Sequence, residues 1–453
     1  MIVKNGAASL VRCLESVSGL VDRIVLGDTG STDDTVAIAR SFGAEILSIP
    51  WQSDFAHARN RVLEHSRCDW ILVLDADEML DVTAQTLLPE AIAHPDLFAY
   101  DLWRWNYVHT TNTWSGDQAA LPNPFLVEAS RPYPAYVRSR STRLFRRHSD
   151  IRFTRPVHED VAESIRSLGL AHEFAPFVIH HFGQVEDPHQ TRHRKNDLYG
   201  EIGRQHLLAN PTDVRTHVEL GWVELAHRRN PATALPLFSQ AAQLNPRNAD
   251  AWLFTGICLV RLNRCDEALT ALAHAEALAP NSTVLHEALG DAHFQRADYA
   301  PASQSYARAQ ALGATCALVD AKHGCCEILL GHPTQGLERV VRAIQREPDF
   351  AELYDFALVA AQLARKPKIA ALIALRRTAL GNATAQHFLR AAELCASTGD
   401  PDRAHSLLRR GLVQFPDAPA LRAALQQPPS PSHIHTDLPR PALPLNLSPI
   451  PYA

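Results

Sequence analysis

Apolar and polar positions change places in short blocks along the first part of the chain. Arg23-Ile-Val-Leu26 is an apolar run that stops at Gly27-Asp28, and Trp70-Ile-Leu-Val-Leu74 is one that stops at Asp75. Short apolar runs closed by turn residues predict buried strands. Residues 45–49 read as a further strand, and residues 1–3 as the remnant of a first one. Between them, 10–19, 32–42 and 55–65 read as helices. Ser31 and Thr32 stand as caps of the second, and Asp33 and Asp34 lie in its first turn, where the helix dipole favours negative charge. Strand, helix, strand, helix, strand predicts a parallel α/β sheet, whose ligands bind at the carboxyl ends of its strands.

The texture changes near residue 212. From there to about 425 the chain is rich in Ala and Leu, poor in β-branched runs, and periodic. Gly256, Gly290 and Gly324 are 34 residues apart; so are Ala234, Ala268 and Ala302, and Ala241, Ala275, Ala309 and Ala343. Phe238, Leu272, Tyr306 and Val340 form a column of large residues, and Pro246, Pro280, Pro348, Pro416 and Ala404 fall on the same lattice. Small residues let two antiparallel helices approach, the large one fills the gap, and the proline resets the chain. The pattern resembles the tetratricopeptide repeat, whose period is 34 residues. Frames begin near 215, 249, 283, 317, 351 and 385, and the frame from 351 is irregular, with Ala374 and Arg377 in the large and small columns. Beyond residue 427 proline is dense, which predicts an extended or disordered tail.

Composition narrows the function classes. The 453 residues suggest about three domains. Lys and Arg total 44 against 49 Asp and Glu, a net charge of -5, which argues against binding nucleic acid through a basic surface. No apolar run approaches the roughly 20 residues that span a bilayer. Residues 1–3 are too short an apolar stretch for a signal peptide, so a cytoplasmic protein is expected. The eight cysteines contain no CxxC pair and read mostly as small buried hydrophobes.

Two acidic motifs sit at strand ends. Asp75-Ala76-Asp77-Glu78 follows the strand at 70–74. One of its carboxylates suits a ribose, and another a hard divalent cation shared with diphosphate oxygens; the bland alternative is a solvated acidic turn. Asp28-Thr29-Gly30-Ser31-Thr32-Asp33 ends the second strand, and Asp28 suits a base N–H. Taken alone, this stretch is a well-capped strand-to-helix turn.

Together with Met1-Ile-Val-Lys-Asn5, Cys13-Leu-Glu-Ser-Val17, Val21-Asp22, Trp51, Asp54-Phe55 and Ala58-Arg59-Asn60, these motifs resemble the family 2 glycosyltransferases. The likeness is greatest to those with a GT-A nucleotide-sugar domain followed by tetratricopeptide repeats. It is dense over residues 1–80 and thin over 81–205. It implies that Asp28 contacts the nucleotide base, that Arg59 lies near the nucleotide or its diphosphate, and that Asp75 and Asp77 form the metal motif with Asp77 the direct ligand. Two departures stand out: Gly6-Ala7 replace an acidic residue that usually follows the first Asn, and the first strand is short.

Further along, Arg155-Pro-Val-His-Glu159 and Ile179-His-His-Phe-Gly183 resemble segments of the same subgroup. An inverting transfer needs a base for the acceptor proton and a cation for the leaving diphosphate. Glu159 is the first choice for the base and Asp160 the second, while His158 or His180 completes the metal or phosphate site. A zinc site from His180, His181, His189 and His193 is disfavoured because no Cys is near. Trp103, Trp105, Tyr107 and Trp114 stack on a ligand or pack in the core, and the core is preferred for at least two of them. Arg138, Arg140, Arg143, Arg146 and Arg147 line either an anionic site or a solvated strand face.

The expected architecture is an α/β GT-A nucleotide-sugar domain, Rossmann-like with a mixed sheet, over 1–205. A helical repeat solenoid follows over 212–425, and a Pro-rich disordered tail over 427–453. The expected function is a metal-dependent (Mn²⁺ or Mg²⁺), inverting glycosyltransferase using a nucleotide-sugar, UDP-linked by family resemblance. Its acceptor is a peptide, a protein or a glycan, and the repeats bind that acceptor or a partner. The competing reading is an inactive repeat scaffold with a degenerate nucleotide-sugar domain.

Overall fold

The computed structural model describes residues 1–109, 114–115, 118–186, 189–314 and 316–426. The side chains of 114–115, 118–119 and 189–196 are outside that description. The expectations for Trp114, His189, His193 and the tail over 427–453 therefore lie outside the described residues. The chain divides into two compact units, one holding Met1–Arg229 and the other beginning at Asn230.

The first unit opens with β1 (Ile2–Val3), α1 (Ala7–Ser16), β2 (Val25–Asp28), α2 (Thr35–Ser41), β3 (Glu45–Ser48), α3 (Phe55–His65) and β4 (Trp70–Leu72). β1, β2 and β3 form a parallel sheet in that order. The predicted strand–helix alternation is present, with one difference. β4 does not join that sheet; it pairs antiparallel with a later strand. β1 is two residues long, and the gap between it and β4 is a cavity of about 290 Å³ lined on its two sides by Ile2 and Val25 and by Ile71 and Leu72. The cap of α2 also differs. Asp34 stands at the N-cap without a side-chain bond, and Ser31 and Thr32 instead tie the loop to Asn5: Asn5 N donates to Ser31 Oγ (2.9 Å) and Thr32 N to Asn5 Oδ1 (2.7 Å).

The rest of the unit is β5 (Glu78–Leu80), α4 (Ala84–Ala93), β6 (Ala99–Val108), β7 (Trp114–Ser115), β8 (Gln118–Ala119), β9 (Leu121–Pro122), β10 (Ala135–Arg146), α5 (Ala162–Ser167), β11 (His172–His181), α6 (Gly183–Glu186), α7 (His189–Ala209) and α8 (Val214–Trp222). A second, mixed sheet runs β4-β10-β6-β11-β5, with β9 on β10. One face of it packs Tyr100, Leu102, Leu144, Phe177 and Ile179 against Leu88 and Ala91 of α4. Tyr107, Tyr136 and Phe182 form another buried cluster, and Trp105 stacks on Tyr136 at 4.2 Å.

The second unit is helical: α9 (Pro231–Leu244), α10 (Ala249–Arg261), α11 (Cys265–Leu278), α12 (Thr283–Gln295), α13 (Tyr299–Ala311), α14 (Ala317–Leu329), α15 (Pro333–Arg346), α16 (Ala351–Leu363), α17 (Pro367–Arg377), α18 (Ala385–Ser397), α19 (Pro401–Gln414) and α20 (Pro419–Gln426). The lattice read from sequence is its core. Ala234, Ala268, Ala302, Phe238, Leu272, Tyr306 and Val340 are all fully buried. A Cβ on Gly256 would lie 2.5 Å from Leu272, and one on Gly290 2.5 Å from Tyr306, so each glycine seats the large residue of its own repeat. The irregular frame keeps the fit by exchanging sizes: Leu358 occupies the glycine column and Ala374 the large one. Arg377, buried in the alanine column, donates from Nε to Asp355 (3.1 Å) and from Nη1 to Asn382 (2.9 Å).

Candidate active site

The turn between β4 and β5 ties itself together. Asp75 N donates to Glu78 Oε2 (2.8 Å), and Glu78 N donates to Asp75 O (3.0 Å). Glu78 is fully buried, and its Oε1 accepts from Arg104 Nη1 (3.3 Å) and Arg143 Nη2 (3.2 Å). Asp75 accepts from Arg59 Nη2 at Oδ1 (2.6 Å) and from Arg143 Nη2 at Oδ2 (3.2 Å). Arg59 Nε reaches Glu159 Oε1 at 2.5 Å. Three carboxylates thus balance three guanidiniums. Burial alone would raise the Asp75 carboxyl, yet Arg59 and Arg143 hold it well below the usual carboxylate range. Arg59 is 8% exposed, and its Nη1 is buried without a hydrogen-bond partner. A buried guanidinium nitrogen left unsatisfied beside this cluster suits an anion.

Asp77 points elsewhere. Its Oδ2 lies 3.5 Å from His181 Nε2. Adjacent strand residues face opposite sides, so His181 meets Asp77 and His180 does not share that side. His180 is fully buried: Nε2 bonds Asp81 Oδ2 (3.0 Å) and Nδ1 bonds the Tyr107 hydroxyl (2.8 Å). Burial opposes the shift, but the hydrogen bonds from His180 and Thr83 lower the Asp81 carboxyl to about 2, and burial pushes the Tyr107 phenol up to about 12. Both His180 nitrogens are occupied by this internal network, and it is the neighbouring His181 that faces Asp77. Asn106 Nδ2 donates to Val137 O (3.0 Å), so Asn106 Oδ1 accepts from His181 Nδ1 (2.8 Å). In neutral His181 that bond leaves the Nε2 lone pair facing the Asp77 carboxylate. Two electron-pair donors set face to face suit a divalent cation. Among the described residues no group of three or more His, Cys, Asp or Glu side chains could hold a metal ion, so a cation here would need oxygens of a ligand as well.

The remaining expected residues surround this centre. Asp28, half-buried at the end of β2, accepts from Ser31 N (3.1 Å) and Gly30 N (3.4 Å). A Cβ at Gly6 would come within 2.6 Å of Val3 and 3.1 Å of Ala76, so no longer side chain fits beside the acidic turn; this is the physical sense of the departure at Gly6. Asp160 Oδ1 accepts from Ala162 N (2.5 Å), and burial raises its carboxyl above the usual range. His158 is exposed, with φ 51°, and its ring packs edge-on against Tyr199 at 5.6 Å. Arg143 leaves the basic run to join the buried cluster, Arg146 sits 4.6 Å over Trp70, and Arg138 and Arg140 are exposed. Sequence reasoning did not single out Glu78 as a cluster member, nor Arg104, nor His181 as the partner of Asp77. The doubled His180-His181 was the available signal.

Residues 1–153 match the family model for glycosyl transferase family 2, and residues 225–291 match a tetratricopeptide-repeat model. A TPR repeat-containing protein of Synechococcus elongatus is 38% identical over 198 residues, 42% of this chain and 43% of that protein. An uncharacterized glycosyltransferase of Rickettsia felis is 41% identical over 87 residues, 19% of this chain and 30% of that one. The SPbeta prophage-derived glycosyltransferase SunS of Bacillus subtilis is 26% identical over 170 residues, 37% of this chain and 35% of that one. The chain thus spans less than half the length of these relatives. Among solved structures, the type IV pilus biogenesis factor PilW is 17% identical, covering 47% of this chain and 98% of that one at a TM-score of 0.41. This chain therefore carries a family 2 glycosyl transferase domain at its N-terminal end, followed by tetratricopeptide repeats.

Proposed function

We propose that the first unit is a metal-dependent, inverting glycosyltransferase that uses a UDP-sugar. The observation that carries this reading is the unsatisfied, buried Nη1 of Arg59 beside the Asp75–Asp77 turn. Asp28 binds the uracil N–H at the end of β2. Arg59 binds the diphosphate, held in place by Asp75 and Glu159. Asp77 and His181 hold the cation, which when bound neutralises charge on the leaving diphosphate.

The transfer is a single displacement. The acceptor's nucleophilic atom forms a bond to the anomeric carbon as the bond from that carbon to the phosphate oxygen breaks. The electron pair leaves on UDP, and the acceptor proton passes to a carboxylate of this chain. Glu159 and Asp160 compete for that role. Glu159 is engaged by Arg59, whereas burial raises the Asp160 carboxyl above its usual range, so Asp160 suits the base better and Glu159 the positioning of Arg59. The acceptor is a glycan, a peptide or a protein, and the repeats bind it or a partner.

Thermal denaturation with a panel of UDP-sugars, with Mn²⁺ and with chelator, tests this reading. A ligand that binds the folded state raises the melting point by mass action. The expected result is stabilisation by one UDP-sugar, only with metal, and none in Asp77→Ala or His181→Ala. If no nucleotide sugar stabilises the wild-type protein, the reading fails and the repeat scaffold replaces it.

A further inference from the structure

Four aromatic rings from four segments form a row beside the candidate base. Trp51, just before α3, packs edge-on against Phe55 at the start of α3 (4.6 Å). Phe55 packs against Tyr199 of α7 (5.5 Å), and Tyr199 against His158 (5.6 Å). The row adjoins the chemistry at two points. Phe55 and Arg59 are one turn apart on the same face of α3, and His158 immediately precedes Glu159. Phe55 N donates to Pro156 O (2.9 Å), which joins the two loops.

None of the four rings is fully buried, and His158 is exposed. Beside Tyr199 and His158 a small dent opens, with Val157 and Leu220 among its apolar lining and Thr216 and Glu219 among its polar lining. The backbone here is also held in an unusual state: Ser53 (φ 57°), Arg155 (φ 80°) and His158 (φ 51°) are non-glycine residues in the left-handed region, all within the two loops that hold Trp51 and His158. Such conformations are costly and persist where surrounding structure imposes them, often at ligand sites.

We infer that this row is the acceptor subsite and that the acceptor it takes is a carbohydrate. The inference rests on the transferase reading above. A pyranose has an apolar face of C–H groups and an equatorial belt of hydroxyls. Half-exposed rings meet the first, and the imidazole of His158 and the carboxylate of Glu219 meet the second.

The test is saturation-transfer NMR on the full chain, using methyl glycosides of the common hexoses and N-acetylhexosamines at millimolar concentration with UDP and Mn²⁺ present. At least one glycoside is expected to receive saturation. Its affinity should fall tenfold or more in Tyr199→Ala and in Trp51→Ala, and should be retained in Tyr199→Phe, which keeps the ring and the fold. The melting-point rise with UDP and Mn²⁺, measured on the same samples, separates the two readings. If UDP binds and no glycoside does, or if glycosides bind Tyr199→Ala as well as wild type, the subsite is wrong while the transferase reading stands. If neither UDP nor glycosides bind, both fall. Sugar transfer to a serine- or tyrosine-bearing peptide, with no saturation of any glycoside, also overturns it.

Discussion

Arg59 concentrates the physics of the first unit in one side chain. It is buried, donates to two carboxylates from Nε and Nη2, and keeps Nη1 unsatisfied. Arg59→Ala would leave Asp75 and Glu159 without their counter-charge, so unfolding free energy should drop by about 3–5 kcal/mol in urea titration. The same cluster sets an acid limit. The folded Asp75 carboxyl lies well below its unfolded value of about 3.9. Its stabilisation is therefore complete above that value and is lost as pH falls from about 4 through the lower folded value. Melting curves below pH 4 should show this loss, and Asp75→Asn should remove much of the pH dependence. Asp160 has the opposite sign: its raised carboxyl disfavours the charged form in the folded state. If it is the base, kcat/KM rises with pH through that raised value, and Asp160→Asn abolishes the reaction, whereas Glu159→Gln slows it by weakening the hold on Arg59. Gly183 is a residue of a different kind. A Cβ there would lie 2.2 Å from Asp77 Oδ2 and 2.8 Å from His181 Nε2. Gly183→Ala must push apart the pair proposed to hold the cation, so the metal-dependent rise in melting point should vanish with little change in the metal-free melting point.

Among the elements, the helix pairs show what the 34-residue lattice does. A Cβ on Gly324 would meet the backbone oxygen of Gly336 at 2.6 Å, and backbone cannot rotate aside. Gly324→Ala should cost about 1–3 kcal/mol, as overpacked cores do. A Cβ on Gly256 presses on the Leu272 side chain at 2.5 Å and meets backbone, the Ala268 oxygen, only at 3.4 Å, so Gly256→Ala should cost less, a difference calorimetry can read. The prolines carry a second device. His217, Trp252, His286, Tyr354 and Arg422 each donate from the side chain to the carbonyl of the proline six residues before: Pro211, Pro246, Pro280, Pro348 and Pro416, at 2.8 to 3.0 Å. Where the lattice lacks the proline, at Ala314 and Asn382, the matching positions hold Asp320 and Phe388, which have no such donor. Tyr354→Phe removes one tether alone and should lower stability by about 1 kcal/mol.

At the scale of the whole molecule, each unit has its own core. The helical unit's largest cluster runs without a break from Phe294 to Leu421. In a stacked array each repeat covers its neighbour. Ending the chain after residue 383 would remove Phe388, Leu407, Leu408 and Leu421 and bare the apolar face of α16 and α17. Such a truncation should melt lower and bind a hydrophobic dye, as measured by fluorescence during heating. Among the described residues no helix is long and apolar enough to cross a membrane.

The sequence by itself determined whatever depends on near neighbours and on period. The strand end at Asp28, helix α3, the acidic turn after β4, and the columns of Ala, Gly and large residues were legible, because turn chemistry and helical spacing act over a few residues; the strand read over 70–74 stops earlier, at Leu72. What it left open depended on register and on distance along the chain. Which histidine of His180-His181 meets Asp77 turns on a pairing that sets His181 opposite Glu78 and His180 opposite Met79; a slip of one residue would exchange them. The Arg59–Glu159 pair joins residues 100 apart. In the repeats, Lys322 is buried between Glu287 (3.0 Å) and Asp291 (2.9 Å), although the lattice marks its position no differently from any other. A charge can be buried only where folding brings its partners, and only the tertiary structure decides where that is.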